Sequence, residues 1–98
     1  MLREIKNREF HYFVDSLGNI QGVCKSLYPN GNRCGHRHYV NGIPHGETKS
    51  WGKNGKLYTH RYLANGELVH DFLESPLTDE EKMLLVLKYG GKLLPKED

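Results

Sequence analysis

Asn-Gly occurs four times in the middle of this chain, at positions 30–31, 41–42, 54–55 and 65–66. The spacings of 11, 13 and 11 residues make the true period 24. An Asn-Gly pair suits a two-residue type I′ turn, because both central residues need positive φ and these two tolerate it best. The segments between the pairs are short and rich in Tyr, Val, Leu and Trp, which reads as strands. The text therefore predicts consecutive β-hairpins, about two and a half of them.

The period also holds in the surrounding residues. "KSLYPNG" (Lys25 to Gly31) matches "KSWGKNG" (Lys49 to Gly55), which pairs Leu27 with Trp51. "HRHYVNG" (His36 to Gly42) matches "HRYLANG" (His60 to Gly66), and Gly22 corresponds to Gly46. A looser copy, "FHYFVDSLGNIQG", sets Leu17-Gly18 where Asn-Gly stands later. One hairpin cannot bury its own apolar face, so neighbouring repeats must supply the core. Trp51 and Leu27 are expected there.

Period-2 alternation sorts the side chains onto two faces. Cys34, His36, His38 and Val40 share one face, and Arg33, Gly35, Arg37 and Tyr39 the other. One period on, Tyr58, His60, Tyr62 and Ala64 follow the first set, and Leu57, Thr59, Arg61 and Leu63 the second. Stacked repeats would bring His36 near His60 and His38 near Tyr62, a ladder of imidazoles and aromatic rings.

After Phe72 the pattern changes. In "SPLTDEEKMLLVLKYGGKLL", Thr78 and Glu81 have the spacing of a capping box, acids fill the first turn, and Gly90-Gly91 is a stop. A helix over about 79–89 is predicted, capping the open end of the sheet. Met83, Leu84, Val86 and Leu87 form its apolar face, while Leu85 falls on the opposite side with Glu81, Lys88 and Lys92. The expected fold class is mainly β: consecutive antiparallel hairpins with a 24-residue period, forming an elongated sheet capped by one C-terminal helix. Residues 1–98 form a single domain, with repeats over 10–73 and the helix and tail over 74–98.

The central pattern, Tyr39-Val40-Asn41-Gly42, Gly46, Asn54-Gly55, Tyr62 and Asn65-Gly66, resembles the MORN repeat. It is most similar to the bacterial MORN-variant repeats labelled as antitoxin components of toxin–antitoxin systems. The likeness covers about residues 12–70 and lacks the Gly-x-Gly phrases of eukaryotic MORN units. It implies an elongated hairpin sheet that binds other molecules, usually proteins and sometimes lipids. It does not imply catalysis.

The net charge of +2 conceals a division along the chain. Residues 20–65 hold seven Lys and Arg and one acid, Glu47, a balance of about +6. Residues 66–98 hold eight acids and four lysines, about −4. A basic surface for an anionic partner is the functional reading of this split, and mutual neutralisation within the fold is the structural one. No apolar run reaches membrane-spanning length, and "MLREIKNREF" does not read as a signal segment. A cytoplasmic protein with reduced thiols and no membrane association is expected.

Catalytic chemistry finds little support. Cys34, His36 and His38 are the nearest approach to a zinc set, but alternate residues on a strand project in parallel about 6.5–7 Å apart and do not converge. Cys24 or Cys34 beside a histidine lacks an orienting acid other than Glu47. A non-enzymatic protein with no cofactor is expected. Arg33, Arg37, Arg61, Lys53 and Lys56, with Tyr39, make a basic and aromatic surface of the kind that anchors protein interfaces, and Leu85 adds an exposed apolar residue. The leading expectation is a small protein-binding inhibitor, antitoxin or immunity-type protein, phage- or mobile-element-encoded, that occludes an acidic partner surface. It would be a monomer or a homodimer through sheet edges. The alternative is a nucleic-acid-binding protein that sets basic residues beside aromatic ones, with Lys25 and Lys49 joining the arginines.

Overall fold

The four Asn-Gly pairs make two kinds of turn. In the computed structural model, which describes residues 1–89, Asn41 and Asn65 have φ of 53° and 52°, and Gly42 and Gly66 follow at 79° and 81°. Those two turns have both central residues left-handed, as type I′ requires. At the other two pairs only the glycine is left-handed. The Tyr28 N–H donates to the Asn32 carbonyl and the Gly31 N–H to the Tyr28 carbonyl, each at 2.8 Å. Gly52 with Lys56, and Gly55 with Gly52, repeat these bonds 24 residues on at 2.9 Å. Here the asparagine works through its side chain: Asn30 Oδ1 accepts from the Asn32 N–H, and Asn54 Oδ1 from the Lys56 N–H. This local Asx bond offers the backbone a turn without positive φ at Asn. Type I′ geometry was the expectation at all four pairs, and it holds at two.

The described residues form eight strands: β1 (Arg3–Lys6), β2 (Phe10–Val14), β3 (Gly22–Leu27), β4 (Arg33–Val40), β5 (Ile43–Pro44), β6 (Gly46–Trp51), β7 (Leu57–Ala64) and β8 (Glu67–Asp71). They form one antiparallel sheet in the order β1-β2-β3-β4-β6-β7-β8, with β5 paired to β4 beside the Asn41-Gly42 turn. The sheet is open and elongated, and the expected fold class is the one observed. Strand β1, which precedes the repeats, was not foreseen. The 24-residue period recurs in the pairing, because the ladder slips between Ser26 and Leu27 and again between Ser50 and Trp51.

The core is thin, as befits a short chain. Among the described residues, Val14, Trp51, Tyr62 and Phe72 are its buried apolar residues, and Gln21 and His45 are buried with them. Trp51 is 8% exposed, as expected, whereas Leu27 at the matching position is exposed. Gln21 and His45 also stand one period apart and do the same work. Gln21 Oε1 accepts the Asn41 N–H at 2.9 Å, and His45 Nδ1 accepts the Asn65 N–H at 3.0 Å. Each therefore satisfies the backbone of the next type I′ turn. No signal in the hydrophobic pattern marks these two residues; only their 24-residue relation could have found them.

Helix α1 spans Asp79–Tyr89 and starts with the capping box its sequence predicts. The Thr78 N–H donates to Glu81 Oε1 at 3.0 Å, and the Glu81 N–H donates to Thr78 Oγ1 at 3.2 Å. The helix lies over one face of the last hairpins. Lys82 Nζ reaches Glu47 Oε2 at 3.3 Å and stands over the Phe72 ring. The Tyr89 ring meets that of Tyr62, and the Tyr89 carbonyl accepts from His45 Nε2 at 2.9 Å. Because Nδ1 is already an acceptor, the His45 proton sits on Nε2.

These contacts reverse the expected helix orientation. Lys82, Leu85 and Tyr89 are the half-buried residues, while Leu84 and Leu87 are 61% and 68% exposed and Met83 and Val86 are exposed with them. An ion pair and two ring contacts set the face, not the aliphatic stripe. Leu85 is consequently turned inward and is not a free surface anchor. The expected stop at Gly90-Gly91, and Lys92, lie outside the described residues. No helix among the described residues is long and apolar enough to cross a membrane.

Candidate partner-binding site

The cross-strand register decides which candidate residues meet. Cys24 pairs with Arg37 across β3–β4, and Thr48 with Arg61 across β6–β7. The register that pairs His36 with Lys49 brings Arg37 towards Thr48, so both arginines share one face, as their period predicts. Their surroundings differ. Arg61 Nε donates to Asp71 Oδ2 at 3.3 Å, and Arg61 and Asp71 are cross-strand partners in β7–β8. Hydrogen bonds from the Glu74 and Leu73 N–H groups, with this guanidinium, hold the Asp71 carboxyl below its ordinary range. Arg61 is thus a structural side chain that closes a hairpin.

Arg37 is exposed and forms no ion pair among the described residues. It borders a cavity of about 330 Å³ walled by Phe10, Tyr12 and Tyr39, with Cys24, Ser26 and Gly35 at its base. Alternation along β2, β3 and β4 builds this hollow. Phe10 pairs with Ser26, and Tyr12 lies two residues on, on the same side. Gly35 is buried and leaves the floor open, since a Cβ there would lie 3.0 Å from Ser26 Oγ. Burial pushes the Cys24 thiol up, and the neighbouring Arg37 charge only partly opposes this. Cys24 is a poor nucleophile in that setting. Beside the cavity, Thr48 Oγ1 is buried without a hydrogen-bond partner among the described residues.

Of the remaining sequence-predicted residues, Tyr39 joins the cavity, while Arg33 stacks over Trp51 with its guanidinium carbon 4.4 Å from the ring centroid. Lys53 and Lys56 lie exposed in the Gly52–Lys56 turn, where the Lys53 carbonyl accepts from Asn32 Nδ2. The structure therefore divides the set: Arg37 and Tyr39 converge, and Arg33, Arg61, Lys53, Lys56 and Leu85 stand elsewhere. Phe10 and Tyr12 complete the hollow and lay outside the sequence expectation. Their membership depends on the β2–β3 register, which lies before the clear repeats.

The opposite face carries the imidazoles. His36 and His60 are not stacked on each other, because β6 intervenes and Lys49 pairs with both. The 24-residue period covers two strands, so equivalent residues lie two strands apart. His38 lies on this face two residues from His36, with ring centroids 5.6 Å apart, and its Nδ1 bonds the Glu47 carbonyl at 2.7 Å. Glu47 accepts from His60 Nε2 and from Lys82. Burial raises the Glu47 carboxyl pKa, but the His60 and Lys82 bonds outweigh it and leave the group below its ordinary value. Cys24 lies on the other face from this pair. Among the described residues no three His, Cys, Asp or Glu side chains gather as a metal site.

Comparisons with protein-family models, with curated proteins and with solved structures return no match to this chain.

Proposed function

We propose that this protein is a non-enzymatic binding module whose Arg37 cavity receives an acidic side chain of a protein partner. The observation that carries the reading is the contrast within one repeated column. Arg61 is neutralised by Asp71, whereas Arg37 is held beside Phe10, Tyr12 and Tyr39 with no carboxylate of its own among the described residues. An arginine flanked by aromatic walls suits an interface anchor, since a partner carboxylate would form a charge-assisted bond as it is desolvated. The resemblance to MORN-variant repeats supports a binding role for the sheet. A small cytoplasmic inhibitor, antitoxin or immunity protein that occludes an acidic surface is the form of module we favour. The protein would act as a monomer or as a homodimer through its sheet edges.

Affinity purification from the native cell tests this directly. Wild-type bait should retain one dominant protein that Arg37→Ala bait does not. Equal recovery by the two baits, or no recovered protein, contradicts the reading.

A further inference from the structure

The face opposite the Arg37 cavity carries a row of alternating lysines and histidines at right angles to the strands. Lys6 pairs with His11, His11 with Lys25, Lys25 with His36, His36 with Lys49, and Lys49 with His60. Six neighbouring strands thus present Lys-His-Lys-His-Lys-His on one side of the sheet. With adjacent strands about 4.8 Å apart, the row runs for about 24 Å. Lys25 and Lys49 flank His36 from the two neighbouring strands, which gathers their charges on one stretch of the sheet that an anion would cover. Among the described residues, two acids bond histidines of this row. Glu4 takes His11 at 2.6 Å, and Glu47 takes His60 and Lys82. Lys6, Lys25, His36 and Lys49 have no carboxylate partner among the described residues. His36 responds to its setting: burial, then His38, Lys25 and Lys49, push its pKa down, and the Glu47 charge only partly opposes them.

Beside the row lies a cavity of about 180 Å³ lined by His11, Phe13, Val23, Lys25 and His36. The His11 and Phe13 rings stand 5.4 Å apart, tilted by 49°. Lysines in line, with hydrogen-bonding imidazoles between them, supply contacts for successive phosphates, and a cavity walled by rings and aliphatic groups beside them suits a flat base. An acidic peptide would use the cations and leave the ring-lined cavity unfilled. We infer that this face binds single-stranded nucleic acid, with phosphates along Lys25, His36 and Lys49 and a base against Phe13 and His11. The period multiplies the key pairing, since Lys25–His36 and Lys49–His60 are the same cross-strand pair one repeat apart.

Fluorescence anisotropy with labelled oligo-dT, between about 50 and 200 mM salt, tests the inference. Lys25→Ala/Lys49→Ala should weaken binding at least about tenfold and flatten the salt slope by about 1.4, two phosphate contacts' worth on a single strand. Lys25→Arg/Lys49→Arg should keep the affinity. Phe13→Leu should weaken oligo-dT binding without changing the slope, and should leave inorganic polyphosphate binding unaffected. Lys53→Ala/Lys56→Ala, in the turn that follows β6, and Arg37→Ala, on the other face, should bind as wild type. The Arg37→Ala control keeps this outcome separate from that of the protein-binding site. Failure to bind oligo-dT at 50 mM salt, equal weakening by the turn variant, or equal affinity for poly-glutamate would overturn the inference.

Discussion

Arg37 and Arg61 occupy the same position of a 24-residue repeat and the same face of the sheet, yet among the described residues only Arg61 has a carboxylate, Asp71, 3.3 Å away. Arg61 pairs with Asp71 on β8, whereas Arg37 pairs with Cys24 on β3 and approaches Thr48 on β6. The repeat reproduces the backbone and the side-chain direction. It does not reproduce the neighbour, and the difference separates a structural arginine from an available one.

The His45 pillar should tolerate the residue that its own repeat uses. His45 is 1% exposed and both ring nitrogens are engaged. His45→Ala strands the Asn65 N–H and opens a cavity, a loss of about 2–4 kcal/mol. His45→Gln can still accept the Asn65 N–H, as Gln21 accepts that of Asn41, and should lose roughly half as much. Urea unfolding of the two variants measures the difference.

Gly46→Ala should cost more than Gly55→Ala. Both glycines have positive φ, so each substitution carries about 1 kcal/mol of backbone strain. At Gly46 a new Cβ would also lie 3.1 Å from His38 Cβ, whereas at Gly55 it meets nothing within 4 Å. Equal thermal midpoints for the two variants would show the His38 contact to be slack.

The Glu47 clamp holds α1 to the sheet. Glu47→Gln removes the charge that binds Lys82 and should destabilise the protein by about 1 kcal/mol. The helix should respond first. Hydrogen exchange of the 79–89 amides should accelerate more than that of β3 and β4, because no helix residue is fully buried.

Acid should weaken the fold in two stages. His36 has a lowered folded pKa, from burial first and then the His38, Lys25 and Lys49 charges, so its neutral form is favoured in the native state. Its contribution is full above the ordinary value of 6.5 and declines as pH falls from there towards the folded value. Glu47, also lowered, contributes above 4.5 and loses that contribution as pH falls through its folded value. Urea midpoints measured against pH should fall below about 6.5, and His36→Gln should remove the upper stage. A flat profile between pH 7 and 5 would exclude it.

The sequence made the period, the repeat hairpins, the buried Trp51 and the Thr78–Glu81 cap legible, because each rests on local chemistry. Asn-Gly and Thr-x-x-Glu act through atoms a few residues away, so their spacing is enough. The cavity needed the partner of each strand. Phe10 and Tyr12 join Tyr39 only because β2 pairs with β3 in one register, and no repeat marks it. The helix face eluded its apolar pattern for a similar reason. Lys82 and Tyr89 turn inward towards Glu47, Phe72 and Tyr62, which are distant in sequence. His36 and His60 were expected to be neighbours because a repeat suggests adjacency, but one period spans two strands and Lys49 stands between them.

The most direct test sets Arg37→Ala against Arg61→Ala, with urea stability and partner retention measured on both. Arg61→Ala should lose no more stability than an exposed ion pair supplies, and should keep its partner. Arg37→Ala should fold as wild type, within about 0.5 kcal/mol, and lose at least about tenfold in affinity. Parallel losses of affinity in both variants, or retention by Arg37→Ala, would contradict the division of the two arginines into a structural and a binding residue.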